Sequence, residues 1–135
     1  MARPAQSMTG APELPADVLN QDCLSRSVLR HLTDRWTPMI VTVLADGRRA
    51  RFTELRRTIQ GVSPKVLTET LRSMERDGLV ARQVTASIPP RVDYWLTELG
   101  ASTVAPLAEL RRWAEANVGV IEQNRQRYDE ALDGE

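Results

Sequence analysis

Between Ser63 and Arg72 the chain carries the hydroxyls of Ser63 and Thr68 and the cations of Lys65 and Arg72. Lys65, Thr68 and Arg72 recur at i, i+3 and i+7, so a helix would hold them on one face. Ammonium and guanidinium groups donate to phosphate oxygens and to the edge of guanine, and a hydroxyl can pair with a base edge or a phosphate. This is the chemistry of holding and reading a nucleic acid rather than of breaking a bond. Arg51, Arg82 and Arg91 border the neighbouring segments and extend the same cationic surface.

Other reactive side chains are few. Cys23 is the sole cysteine, which excludes an intramolecular disulfide, and with a single histidine, His31, too few soft ligands remain for a Cys/His zinc site. On one helix the spacing from Cys23 to His31 means about 12 Å of rise and ~80° of rotation, too far for a thiol–imidazole nucleophile pair. The glycines fall singly and build no phosphate cradle, and no carboxylate pair stands out from the solvated acids of the C-terminal third. No enzyme, metal site or cofactor is expected.

The 18 cations and 18 acids cancel over the 135 residues but not locally. Residues 48–91 hold nine arginines and Lys65 against four acids, a net +6, whereas residues 92–135 hold four arginines against nine acids, a net −5. A basic centre beside an acidic end suits a module that turns one face to phosphate and stays soluble elsewhere. No apolar run approaches the ~20 residues of a membrane span, and the N-terminal stretch lacks the apolar core of a secretory signal. A cytoplasmic protein without a membrane partner is the expectation.

The elements that must position these groups follow from periodicity and punctuation. Residues 1–20, with Pro4, Pro12 and Pro15, read as a flexible leader. Asp22 can cap a first helix with Leu24, Val28, Leu29 and Leu32 on one stripe. Thr37 and Pro38 suit the cap and first position of a second, wholly apolar helix that Asp46-Gly47 closes. Phe52, Leu55 and Ile59 mark a short third helix ending at Gly61. The fourth, residues 63–77, has the plainest signals. Ser63 is its cap and Pro64 its first residue, Val62 and Leu67 can form a hydrophobic staple, and Leu67, Leu71 and Met74 make its apolar stripe.

Leu79 to Val84 and Arg91 to Leu96 then alternate around a turn-rich 86–90 segment, which predicts a hairpin. After Thr97 the period is helical again, through Leu107, Leu110, Ala114, Val118 and Ile121 to Tyr128 and Leu132, with Pro106 set to kink or restart the helix. This order predicts a mainly α fold with a small β-hairpin, a winged helix-turn-helix over residues 21–97 with C-terminal dimerisation helices over 98–135. In that fold helix 63–77 enters the major groove and the hairpin is the wing.

The runs Arg51-Phe52-Thr53-Glu54-Leu55-Arg56, Gly61-Val62-Ser63-Pro64-Lys65-Val66-Leu67-Thr68 with Leu71-Arg72, Asp77-Gly78-Leu79-Val80, and Ile88-Pro89-Pro90-Arg91-Val92-Asp93-Tyr94 with Leu96-Thr97 resemble the HxlR-type, MarR-like winged helix-turn-helix regulators of bacteria. The likeness covers roughly residues 23–115 and takes in Cys23 and Asp34-Arg35-Trp36-Thr37. It implies a homodimeric transcriptional regulator whose first and last helices form the dimer. The helix with Ser63, Lys65, Thr68 and Arg72 would read an operator in double-stranded DNA. The chain departs from the family at Leu24, where proline is common, at Thr33, where glycine is usual, and at Thr85 and Ser87 of the wing.

Some relatives of this type sense oxidants or electrophiles through a cysteine at the place of Cys23, although a buried structural thiol is the simpler reading of the residue. A small-molecule effector is the other expectation. Trp36, Met39, Phe52 and Trp113 are candidates for lining a cleft between reading head and dimer helices, beside the plainer role of packing. The alternative function is a winged-helix module that binds protein rather than DNA, with its arginines a solvated face; Glu69 and Glu75 on the fourth helix lean that way.

Overall fold

A computed structural model of the chain describes Gly10, Glu13, Leu14 and residues 16–134. Most of the leader expected over residues 1–20 lies outside the described residues. Its end is a turn, in which the Asn20 amide donates to the Asp17 carbonyl at 3.0 Å and the Cys23 amide to the Asn20 carbonyl at 3.0 Å.

Helix α1 (Leu24–Leu32) begins with Cys23, not Asp22, in the N-cap position. Asp22 falls one residue too early, and its amide is held within the turn by Asn20 Oδ1 at 2.9 Å. Helix α2 (Thr37–Leu44) buries Thr37, Ile40, Val41 and Leu44. Thr37 is its first residue rather than its cap. The capping carboxylate is that of Asp34, which accepts from the Trp36 and Thr37 amides at 2.8 and 2.9 Å, as unpaired first-turn N–H groups require. Asp46 and Gly47, both at positive φ, then turn the chain into strand β1 (Ala50–Arg51).

Helix α3 (Phe52–Thr58) sends Leu55 inward and leads through Ile59 and Gly61 to helix α4 (Pro64–Arg76). Helix α4 ends in a left-handed cap. The Gly78 amide donates to the Glu75 carbonyl at 3.0 Å and the Leu79 amide to the Met74 carbonyl at 2.8 Å, a pattern that Gly78 permits at φ +78. Strands β2 (Val80–Thr85) and β3 (Arg91–Leu96) pair antiparallel from Val80↔Leu96 to Thr85↔Arg91. The hairpin is therefore present, but the sheet has a third strand: β1 pairs with β3 through Ala50↔Tyr94 and Arg51↔Asp93, giving the order β1-β3-β2.

One face of this sheet carries Ala50, Val80 and Tyr94 into a core shared with Ile40, Leu44 and Leu55. Each of the buried Ile, Leu and Val side chains contributes roughly 1.5–3 kcal/mol relative to exposure. A short helix α5 (Glu98–Ala101) follows β3, and Thr97 caps it by accepting from the Gly100 amide at 3.0 Å. Gly100 lies so close to strand β2's entry that a Cβ there would sit 1.9 Å from the Leu79 carbonyl oxygen. Helix α5 thus belongs to the first compact unit, which runs through Val104.

The second unit, from Ala105, is the body of helix α6 (Val104–Asp133). Its 30 residues amount to about 45 Å of rise. Pro106 lies in its first turn, where a missing N–H costs nothing, and so starts the helix instead of kinking it. No residue of α6 is buried. No helix among the described residues is long and apolar enough to cross a membrane.

Candidate nucleic-acid interface

Helix α4 is held at both its start and its inner face. The Ser63 hydroxyl accepts from the Val66 amide at 3.2 Å, satisfying one of the free first-turn donors. Val62 and Leu67 are both buried, as a hydrophobic staple across the cap requires. Ahead of them Gly61, at φ +91, lies under the Trp36 ring, whose Cη2 is 3.7 Å from where a Cβ would stand. Trp36 therefore packs on the turn between α3 and α4. Leu67, Leu71 and Met74 are almost fully buried, which fixes the rotation of the helix about its axis.

That rotation turns Lys65 and Arg72 outward with Glu69 and Arg76, and leaves Thr68 half-buried beside them. The two hydroxyls are not equivalent. Ser63 accepts from an amide, so its own proton is free for a phosphate oxygen. Thr68 donates to the Pro64 carbonyl at 2.8 Å, so toward a base edge it offers only an acceptor and its methyl group.

The wing arginines expected at the same surface have partners within the chain. Arg82 Nε lies 3.3 Å from Glu75 Oε1, tying β2 to the outer half of α4. Arg91 Nε lies 3.0 Å from Asp93 Oδ2, a neighbour on the same face of β3, and Asp93 is nearly buried. Arg51 stands across from Asp93 in the ladder and makes no ion pair among the described residues. On the same sheet face Arg49 lies 3.9 Å over the Trp95 ring and donates to Gln83 Oε1 at 3.3 Å. Tyr94 lies on the other face, between α4 and the wing. Burial raises its pKa above the ordinary tyrosine value; Arg82 and Arg72 oppose that rise and Glu75 adds to it.

Sequence reasoning missed Glu75 and Asp93 as the partners of Arg82 and Arg91, and the burial of Tyr94 beside them. The Arg91–Asp93 spacing of two on a strand was a usable signal, because such residues share a face. The Glu75–Arg82 link crosses from helix to strand and had none.

Phe52 lines a cavity of about 370 Å³ with Arg51 and Thr53 on one side and residues 89–92 on the other, without Trp36 or Met39. Met39 is exposed on α2, and Trp113 is exposed on α6, in the second unit. Cys23 is half-buried. Its sulfur is 2.9 Å from the Ser25 hydroxyl and accepts from the Asp17 amide at 3.1 Å. The Ser25 hydroxyl and then the Asp17 amide hold the thiol pKa below its ordinary value, against a smaller opposing effect of burial.

The HxlR-like helix-turn-helix family model matches residues 31–122. The HTH-type transcriptional regulator YtfH of Escherichia coli is 42% identical over 98 residues, covering 73% of this chain and 77% of that one. Among solved structures, the transcriptional regulator ytfH of Salmonella typhimurium superposes with a TM-score of 0.77 at 38% identity, covering 83% of this chain and 99% of that one. The redox regulator HypR in its reduced form superposes with a TM-score of 0.66 at 33% identity, covering 73% of this chain and 96% of that one.

Proposed function

Because the chain belongs to the HxlR-like helix-turn-helix family of transcriptional regulators, we propose that it is a homodimeric repressor that reads an inverted-repeat operator in double-stranded DNA through α4. The observation that carries this reading is the pairing of opposite faces on that helix. A buried stripe locks its rotation, and Lys65, Thr68 and Arg72 project from the other side, with Ser63 at its start. A major groove admits one α-helix, and residues toward the helix start meet base edges. Arg51, Arg82 and Arg91 then supply backbone contacts from the wing and its neighbouring strand. Glu75 is already engaged with Arg82, which removes one of the two acids that favoured a protein partner.

The dimer rests on two apolar faces, each considered by itself. Leu24, Val28 and Leu29 of α1 are exposed, as are Leu110, Trp113 and Val118 of α6. Faces of this kind are where a second copy docks, and two-fold symmetry would place two reading helices about one turn of DNA, roughly 34 Å, apart. Cys23, at the start of α1, takes the sensor's place in this reading. Diamide removes two hydrogens from the Cys23 thiols of two copies and joins them as a disulfide, being itself reduced to the hydrazine; the bond needs Cα atoms within about 7 Å.

A mobility shift with the upstream region of the chain's own gene, at two salt concentrations, tests the central claim. Binding should weaken with salt, and Arg72→Ala should cost ~1–3 kcal/mol and relax preference at one base position. Absence of any shift favours the protein-binding alternative. Diamide should weaken binding by the wild type and spare Cys23→Ser; an equal response makes Cys23 structural.

A further inference from the structure

We propose that Asp93 and Glu75 are positioning residues for the wing: each holds one arginine, Arg91 or Arg82, by Nε alone and leaves its terminal nitrogens for DNA phosphate, an inference that rests on the DNA reading above. A guanidinium carries one N–H donor on Nε and four on its two terminal nitrogens. Arg91 Nε donates to Asp93 Oδ2 at 3.0 Å and to Oδ1 at 3.3 Å. Arg82 Nε lies 3.3 Å from Glu75 Oε1. Among the described residues no ion pair or side-chain hydrogen bond takes the terminal nitrogens of either arginine. The other arginine ion pair among them, Arg112 with Glu109 on α6, runs through Nη2 instead.

Stability does not account for the two wing pairs. The Glu75 and Arg82 side chains are 40% and 44% exposed, and a pair in that setting contributes little. The Asp93 side chain is only 11% exposed, so its carboxylate has given up water for a partner that at best offsets the loss. What each carboxylate does accomplish is to fix a long side chain. An arginine held at Nε has lost rotamer freedom before DNA arrives, so less ordering remains for the contact itself. Its terminal nitrogens keep the planar fork that matches two phosphate oxygens. Two elements, α4 and β3, supply the same hold to the two arginines of the wing.

The proposal has a sign. An acid that is a bystander repels phosphate, so removing it tightens DNA binding; removing a positioning acid weakens it. The upstream duplex, titrated with full-length protein by fluorescence anisotropy over a salt series, reads that sign. Asp93→Asn and Glu75→Gln should each weaken binding roughly threefold or more, and each should lower the slope of log affinity against log salt by up to ~0.9, the loss of one phosphate contact. Asp93→Asn should add no further loss to Arg91→Gln, nor Glu75→Gln to Arg82→Gln. Glu69→Gln, at an exposed acid of α4 without an ion pair among the described residues, should tighten binding.

Should Asp93→Asn fail to fold, the wild type gives an independent readout by NMR. The Arg91 Nε–H proton should exchange slowly with water and stay slow when the duplex is added, while rotation of the terminal groups of Arg82 and Arg91 slows. Unchanged or tighter binding by either acid variant overturns the proposal for its arginine, and so does release of the Arg91 Nε–H proton on DNA. A chain that binds no DNA fails the reading above and this proposal together; one that binds DNA while both acid variants match it fails this proposal alone.

Discussion

Helices α1 and α4 are both strongly amphipathic, and they finish in opposite states. In α4 the apolar stripe of Leu67, Leu71 and Met74 is no more than 2% exposed. In α1 the matching residues Leu24, Val28 and Leu29 are 57%, 43% and 51% exposed, and no residue of the helix is buried. A helical period states that a face prefers cover, not which surface supplies it. Helix α4 packs on β2 within its own chain. Helix α1 touches α2 and keeps most of its apolar side outward. The first pattern encodes folding, and the proposed dimer gives the second pattern to assembly.

Substitutions at three positions test that contrast. Leu71→Ala should cost ~2–5 kcal/mol of folding stability in denaturant titrations at every protein concentration, because it opens a cavity in a closed core. Leu29→Ser should leave the dilute chain within about 0.5 kcal/mol of the wild type and raise the dimer dissociation constant at least tenfold, about 1.4 kcal/mol, in sedimentation. If Leu29→Ser instead destabilises the chain as Leu71→Ala does, the contrast between the two helices collapses. Ser63→Ala should cost about 1 kcal/mol in thermal melts, with Ser63→Asp restoring most of it, since a carboxylate also accepts at a helix start. A cost near zero would mean that the buried stripe alone holds α4 in place.

What was legible in the sequence was local. Ser63 and Pro64, the Val62–Leu67 pair and Gly78 announce both ends of α4 within a few residues, and the structure realises each of them. Strand β1 was not legible, because two residues show no alternation and Ala50-Arg51 is a strand only through its pairing with Tyr94 and Asp93. The cap of α2 was misplaced to Thr37 because a threonine before a proline is a good cap by type, while Asp34 reaches the same amides from farther back. The inclusion of α5 in the first unit depends on Gly100 meeting the Leu79 carbonyl, a contact between residues 21 positions apart. The outward placing of Lys65 and Arg72 was readable for the same reason as the helix. The carboxylate partner of Arg82 was not, because Glu75 and Arg82 belong to different elements.

The last rung of the β2–β3 ladder is Thr85↔Arg91, which leaves residues 86–90 outside any pairing. Closing a flexible loop costs only about 0.6 kcal/mol more for each doubling of its length. Insertions there leave the register, the buried stripe of α4 and the hold of Asp93 on Arg91 unchanged. Lineages that inherit this head can therefore lengthen, shorten or recharge the wing tip almost freely. Mutational tolerance is concentrated on these few positions, and a new wing tip need not solve the folding problem again.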